Sequence, residues 1–465
     1  METTDGFARL RGNFRGVLLR PGEEGYDHTR RVWNGAIDRR PALIARCAGA
    51  DDVATIVRFA RQSGRRVSVR GGGHGVMGPA VLDDGIMIDL SLLKAVAVDP
   101  VGRTVRAAGG LTWSELDLAT QQHALAVTGG SISRTGIGGV TLTGGFGHLM
   151  RRHGLAVDNL RAADVVTADG RRVHVDVEHE PELLWGLRGG GGNFGIVTSF
   201  EFDLHPVGPM VYGGPIFWPL DQAPRVLRHL REFAPQAPDE LGIAIVANLA
   251  PPMPFLPPEV YGRPVFGLLL SWSGGIAEGI RATAELRSIG TPLGDAVRPV
   301  PYRALQSLLD GGAAPGNHAY WRSHRQTGLS DEAIDVLCAR VESITSPMSL
   351  VMGWVIGGAV SRVAPEATAV GERENGYELQ CIGVWRPDDT DPDKHRSWVL
   401  EGWEALRPFS TGRQFASFLS DEGDAGVQAA YGDRLGRLRA LKDRWDPTNF
   451  FHRNINITPT SWSQQ

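Results

Sequence analysis

The sequence predicts an α+β fold in two principal parts, and three observations carry that expectation. Residues 41–75 read as strand, helix and strand, opening directly into GGGHG. From there to about residue 207, short strands and tight turns alternate with two further glycine clusters. Beyond residue 208 the texture changes to strands and amphipathic helices joined by proline-rich links such as APPMPFLPPEVYGRP.

Each element has a local reason. ALIARC is an apolar strand, and Asp51 and Asp52 mark a helix start that places Val53, Ile56, Val57 and Phe59 inward. Ser63-Gly64 breaks that helix before the strand RVSVRG. GIMIDL, AVAVDP and TVRAAGG are short strands, the last two joined by a turn at Val101-Gly102. TWSELDLATQQHAL has the Ser/Glu-rich start and apolar spacing of a helix. A second glycine cluster spans 129–147. ADVVTADGRRVHVDV is a hairpin turning at Asp169-Gly170. The helix PELLWGLRG leads into GGGNFG and the strand IVTSFEFDLHPV. The second part has strands near VFGLLLSW, SLVMGWVIGGAVSRV and GYELQCIGVW. Near the end, AYGDRLGRLRALKDRWDPTNFFHRNINI is a helix stopped by Asp446-Pro447 and followed by a returning segment. The expected divisions are 1–36, 37–207, 208–422 and 423–465.

Composition narrows the function classes. The chain carries 48 Lys+Arg against 52 Asp+Glu, a net charge of -4, with no basic block to neutralise a run of phosphates, so nucleic acid is not an expected partner. Cys47, Cys338 and Cys381 are too few and too far apart for a disulfide framework or a CxxC knuckle, which fits a reducing cytoplasm. The start METTDGFARLRGNFRG lacks a secretory apolar core, and no stretch reaches the roughly 20 apolar residues that cross a bilayer, so no membrane partner is expected. Lysine occurs only at 94, 394 and 442, an arginine bias that points to a GC-rich, bacterial coding sequence. The pairs His174/His179 and His318/His324 lack a ligand spacing and read as scattered surface histidines; no metal is expected. Neither GxSxG nor a P-loop occurs, which excludes serine hydrolases and P-loop NTPases.

Glycine is the outlier: 60 of 465 residues, about 13% against a usual 7% or so. Residues 73–78 and 190–195 both match GxGxxG, yet neither opens a helix. A dinucleotide fingerprint needs that helix N-terminus, so the match is rejected. Glycine turns can still cup an anion with successive backbone N–H groups and let a ligand approach the main chain. Three such loops, at 70–78, 129–147 and 189–195, imply an extended, multiply charged ligand.

The order Arg70-Gly71-Gly72-Gly73-His74-Gly75, Thr135-Gly136-Ile137-Gly138-Gly139 with Gly144-Gly145-Phe146-Gly147, and Leu187-Arg188-Gly189-Gly190-Gly191-Gly192-Asn193-Phe194-Gly195 resembles the FAD-linked oxidases of the vanillyl-alcohol-oxidase/PCMH superfamily. The ending, with Tyr431-Gly432, Lys442, Trp445-Asp446-Pro447, Asn449-Phe450-Phe451 and Asn454, is similar to the berberine-bridge-enzyme-like branch. The resemblance implies a PCMH-type FAD-binding domain of two α/β subdomains, a substrate domain with an antiparallel sheet covered by helices, and a C-terminal segment returning to the FAD domain. It implies FAD linked covalently through His74. Relatives that make a second bond carry a cysteine where this chain has Ile132, so a single linkage is expected. The implied cradle comprises Arg70, Gly71, Gly72, Gly73, Gly75 and Met77; Gly129, Gly130, Ile132, Thr135, Gly136, Gly138, Gly139, Gly144, Gly145, Gly147 and Leu149; Asn193, Gly195, Ile196 and Val197; and Asn454 and Asn456. Thr135, small and beside the flavin, suits oxygen access.

Period-2 alternation puts Glu378 and Gln380 on one face of their strand and Tyr377, Leu379 and Cys381 on the other. The resemblance turns the polar pair toward the flavin and makes Glu378 the base, its pKa raised by desolvation. Sugar- and alcohol-oxidising relatives commonly carry a tyrosine, acting as base, at the start of a YxNF-like strand; here Gln414-Phe415-Ala416-Ser417-Phe418 has Phe415, which cannot accept a proton, and this weighs against a carbohydrate substrate and puts more weight on Glu378. Tyr320, Trp321, Trp354 and Phe415 are the expected pocket walls. The expected activity is oxidation of a hydroxyl- or phenol-bearing small molecule of secondary metabolism, with O2 as acceptor and H2O2 as product, by a monomer or homodimer. A dehydrogenase with another acceptor, a carbohydrate oxidase, or a flavin-binding protein without turnover stay open.

Overall fold

A computed structural model describes residues 4–462; residues 1–3 and 463–465, the outer ends of the expected terminal segments, lie outside the described residues. Among the described residues the strands form three principal sheets. The first has the spatial order Val17–Leu19, Leu43–Arg46, Ile86–Asp89, Val67–Arg70. Ile86–Asp89 runs parallel to both neighbours, and the helix Ala50–Gln62 makes the crossover from Leu43–Arg46 to Val67–Arg70. That helix has no capping side chain. Its Asp52 instead accepts from the backbone N–H groups of Arg15, Gly16 and Ala48, tying the first strand to the helix start.

The second sheet is antiparallel in the order Val96–Asp99, Thr104–Ala108, Ile196–Asp203, Leu160–Val166, Arg172–Val175. The predicted hairpin turns at Gly170, whose φ of 78° favours glycine. The predicted helix at Trp113–Thr120 is closed by a capping box between Thr112 and Glu115.

The third sheet is antiparallel. Its main path runs Gly294–Asp295, Met210–Pro219, Pro264–Trp272, Leu241–Leu249, Leu350–Ile356, Gly376–Trp385, His318–Gln326. Helices Ala223–Phe233, Asp331–Glu342 and Pro392–Leu406 pack on one face, over a core containing Leu379, Cys381, Val351 and Val355. The other face presents Val246, Met352 and Trp354 toward Phe146 and its neighbours in the glycine-rich half. The fold is therefore α+β as expected: a glycine-rich unit of two small sheets facing an antiparallel sheet that helices cover. No helix among the described residues is long and apolar enough to cross a membrane.

Several local expectations need correction. Ile137–Thr143, read as glycine loop, is a short helix. Its glycines and β-branched residues are poor helix formers, so its form is set from outside: Ile137 N–H donates to Leu111 O, and Gly136 bridges Thr112. SLVMGWVIGGAVSRV keeps its strand only to Ile356; Gly358, at φ 62°, turns the chain into the one-turn helix Ala359–Arg362. Residues 416–418 form a tight helical turn rather than a strand. His324 is not a surface residue, for it is buried and stacked on Trp403 at 5.4 Å.

The C-terminal helix Leu435–Trp445 and the segment after it pack against the glycine-rich unit. The fastening is Lys442, fully buried, whose Nζ donates to Asn193 O, Asp446 Oδ2 and Phe451 O at 2.9, 2.7 and 3.0 Å. Asp446 in turn accepts from the N–H groups of Phe450 and Phe451. Desolvation lowers the Lys442 pKa while Asp446 holds it up. Removing one partner strands a buried charge, so Lys442→Ala is expected to cost roughly 3–5 kcal/mol of stability. Denaturant titration reads this directly, and an unchanged midpoint would refute the fastening.

Candidate active site

The strand Val67–Arg70 delivers the chain into Gly71–Gly75 against the turn that precedes Ile137–Thr143. Two backbones meet there: a Cβ built on Gly72 would lie 2.3 Å from Gly136 N, and one on Gly136 would lie 2.3 Å from Gly72 N. Glycine is required at both by space.

Between these loops and the bare face of the large sheet lies a cavity of about 920 Å³. The loops contribute Gly71–Met77, Gly130–Ile132, Thr135, Gly136, Gly138, Gly139, Gly145, Gly195–Val197 and Asn454. The sheet contributes Phe217, Val246, Asn248, Trp321, Leu350, Met352, Trp354, Gln380 and Ile382. Among the described residues lining it, Arg453 alone carries a permanent charge. Charges placed inside are therefore weakly screened.

Most predicted cradle residues thus line one cavity, including His74, Met77, Ile132 and Thr135. Arg70, Gly129, Gly144, Gly147, Leu149, Asn193 and Asn456 do not; they stand behind the wall. Arg70 reaches back to Thr29 O. Leu149 is core, packed with Met150 and Leu155. Gly147 permits a close approach, since its Cβ would sit 2.0 Å from Gly129 O. Asn193 is a brace: its amide donates to Gly190 O and Ile455 O and accepts from Ile457 N–H. Asn456 reaches only Thr458.

On the sheet the predicted alternation holds. Glu378 lies opposite Arg325 on one side and Trp354 on the other; Gln380 lies opposite Ser323 and Met352. Tyr377, Leu379 and Cys381 enter the helix-side core. Gln380 lines the cavity, whereas Glu378 is 0% exposed and sits one row deeper, outside the lining. Neither carboxyl oxygen makes a hydrogen bond of ordinary geometry. Burial pushes its pKa to about 8, against a smaller downward pull from Ser323 and Arg325.

Two of the four predicted wall residues are misplaced. Trp321 and Trp354 line the cavity. Tyr320 cannot share a face with Trp321 one residue along the same strand; it belongs to the helix-side core, with its hydroxyl donating to Asp421. Phe415 is buried behind the wall, edge-on to Phe146 at 4.6 Å, and residues 416–420 take the lining place. The sequence reading also missed Ser68, Asn248 and Met352. Alternation along the Leu241–Leu249 strand would have pointed to Val246 and Asn248 had that strand been recognised.

Six lining residues leave a buried polar atom without a partner: Ser68 Oγ, His74 Nε2, Asn248 Oδ1, Gln380 Nε2, Arg453 Nε and Asn454 Oδ1. Buried polar groups are rarely left so. The arrangement fits a bound group that combines a polar, phosphate-bearing arm along glycine loops with a broad apolar ring against the sheet. The family sequence profile described as "FAD binding domain" matches residues 41–176, and that described as "Berberine and berberine like" matches 420–458. An FAD-linked oxidoreductase of Dictyostelium discoideum is 29% identical, over 96% of this chain and 95% of its own.

The chain is an FAD-dependent oxidoreductase that is similar to the berberine-bridge-enzyme-like proteins. Among relatives of this oxidoreductase, the (R)-6-hydroxynicotine oxidase of Paenarthrobacter nicotinovorans is 29% identical, covering 96% of this chain and 97% of its own. The crystal structure of 6-hydroxy-D-nicotine oxidase from Arthrobacter nicotinovorans superposes with a TM-score of 0.86 at 26% identity, over 96% of this chain and 98% of that one. Berberine bridge enzyme from Eschscholzia californica gives 0.88 at 18% identity over 98% and 99%, a likeness of fold. FAD is the cofactor class, and a small molecule is the substrate class.

The backbone contact at the cradle makes a prediction with its own control. Gly72→Ala is expected to destabilise this oxidoreductase by roughly 1–3 kcal/mol, the cost of overpacking, and to lower the flavin content of the purified protein. Gly436, in the helix Leu435–Trp445 and away from the cavity, has nothing within 4 Å of its Cβ position, so Gly436→Ala is expected to melt no lower than wild type. Equal melting of both variants would contradict the reading of the contact.

Proposed function

We propose that the protein is a flavoprotein oxidase that carries FAD covalently on His74 alone, oxidises a hydroxyl- or phenol-bearing small molecule of secondary metabolism, and uses O2 as acceptor. The observation that carries this reading is the buried, partnerless Glu378 on the sheet face that, through Gln380 and Trp354, walls the cavity opposite the His74 loop. FAD bound in the glycine loops supplies a two-electron acceptor that takes hydride from carbon and is restored by O2, which leaves as H2O2.

The chain's own residues supply the rest. Same-face neighbours on a strand are roughly 7 Å apart, so a rotation of the buried Glu378 side chain toward Gln380 would bring its carboxyl, on a two-carbon arm, to the space that Gln380 borders. There it takes the hydroxyl proton, and the Gln380 amide orients the substrate oxygen. Trp321, Trp354, Met348 and Met352 exclude water and hold an apolar skeleton. The apolar lining favours a substrate with an apolar skeleton over a polyhydroxylated sugar, in line with the missing proton acceptor at Phe415. Ile132, at the position of the second linkage in doubly bound relatives, offers no thiolate, which supports one bond. Thr135, small on the cavity wall, leaves room for O2.

Two measurements test the reading. Acid precipitation of purified protein is expected to leave the yellow colour in the pellet, and His74→Ala is expected to release it to the supernatant; colour that stays in the pellet of His74→Ala would refute the linkage. The rate of substrate oxidation is expected to rise with pH toward a plateau above about pH 8, where Glu378 ionises. Glu378→Gln should abolish that limb and slow turnover about 10²–10⁴-fold, and wild-type turnover in this variant would refute the role.

The same carboxyl has a stability consequence of opposite sense. Its folded pKa of about 8 lies above its ordinary 4.5, so between those values the folded protein binds the extra proton. Stability is then expected to fall as pH rises from 4.5 through 8, and Glu378→Gln should flatten that slope in thermal denaturation.

A further inference from the structure

The geometry points to Trp33 as a positioning residue for His74, its indole face holding the imidazole in a single orientation at the wall of the cofactor cavity. The inference rests on the reading that His74 bears the flavin, and it gives a task to the segment 1–36, whose sequence disclosed none. The two rings are stacked, with centroids 4.5 Å apart and planes 16° from parallel. Trp33 is 8% exposed and pinned at several points. Its backbone N–H donates to Gly73 O at 3.0 Å, its Nε1 donates to Ala313 O at 2.8 Å, and its carbonyl accepts from Gly316 N–H. The neighbouring Asn34 donates to Val76 O and Ala319 O and accepts from Ala319 N–H. The indole is thus a fixed plate tied both to the histidine loop and to the far side of the cavity.

His74 needs such a plate. It stands between Gly73, at φ 68°, and Gly75, where little backbone bulk restrains its ring. Its Nε2 has no partner, and the hydrogen bond the ring makes is to its own backbone, so no other residue fixes the ring plane through a hydrogen bond. A nitrogen that bonds to carbon must be unprotonated and held in line. Burial keeps the imidazole neutral by lowering its pKa to about 4, and the stack supplies the alignment. Forming the bond removes one hydrogen from the flavin 8α-methyl carbon and one from the imidazole. Both hydrogens and their two electrons leave through the flavin to O2 as hydrogen peroxide.

The test is the fraction of chains carrying covalent flavin, read by intact mass in protein purified after a fixed short expression, with melting temperature as the control for folding. Trp33→Leu keeps apolar bulk but removes the plate, and is expected to lower the fraction roughly tenfold, the factor that about 1.4 kcal/mol of stacking represents. Trp33→Phe keeps a ring face, loses the bond to Ala313 O, and is expected to restore the fraction. If Trp33→Leu does not fold, Trp33→Met takes its place. Full adduct in the ringless variant overturns the proposal alone, as does equal loss in Trp33→Phe. Wild-type protein without adduct, or adduct that persists in His74→Ala, overturns the reading beneath it and the proposal together.

Discussion

The close passage of two backbones at Gly72 and Gly136 is the constraint on which the rest of the site depends. It brings the loop that follows a parallel strand against the turn that starts the helix Ile137–Thr143, and it leaves no volume for a side chain at either place. With that contact made, His74, Ile132 and Thr135 share one wall. The opposite wall follows from strand alternation in the antiparallel sheet, which sends every second residue to the cavity and the others into the helix-covered core. The site is therefore the gap between two surfaces, each specified independently by its own local chemistry.

That arrangement explains why a buried carboxyl sits where it does. A sheet face that encloses a large apolar cavity has few polar residues, and the few it has lack protein partners. Glu378 is held neutral by desolvation at ordinary pH, a costly state that a packed core would avoid by substituting an apolar residue. Perturbed acids of this kind cluster at functional sites. Lys442 performs the complementary structural task, since its three acceptors join the C-terminal segment to the loop that carries Asn193.

Much of this was legible in the residues themselves. The β-α-β start, the Asp169-Gly170 hairpin, the strand carrying Glu378 and the rejection of a dinucleotide helix after either GxGxxG all follow from period, turn chemistry and what comes after each glycine run. What escaped was set by tertiary context. Ile137–Thr143 is helical against its own propensity because Leu111 O takes its first N–H. The strands Met210–Pro219, Leu241–Leu249 and His318–Gln326 lie inside a sheet whose two faces are both covered, so their apolar runs blur the alternation that would have flagged Asn248. Tyr320 and Phe415 were placed by residue type, where the pleat and the turn at 416–418 decide otherwise. Trp33 carried no signal, because its partner lies 41 positions along the chain.

The central claim is that one cavity, bounded by His74 and the glycine loops on one side and by Gln380 and Trp354 on the other, is where cofactor and substrate meet. A crystal structure of the purified yellow protein tests it most directly. The account predicts density for the flavin ring inside that cavity, continuous with the His74 side chain and facing Gln380. A flavin bound elsewhere, or one in the cavity separated from His74 by a clear gap, would contradict it.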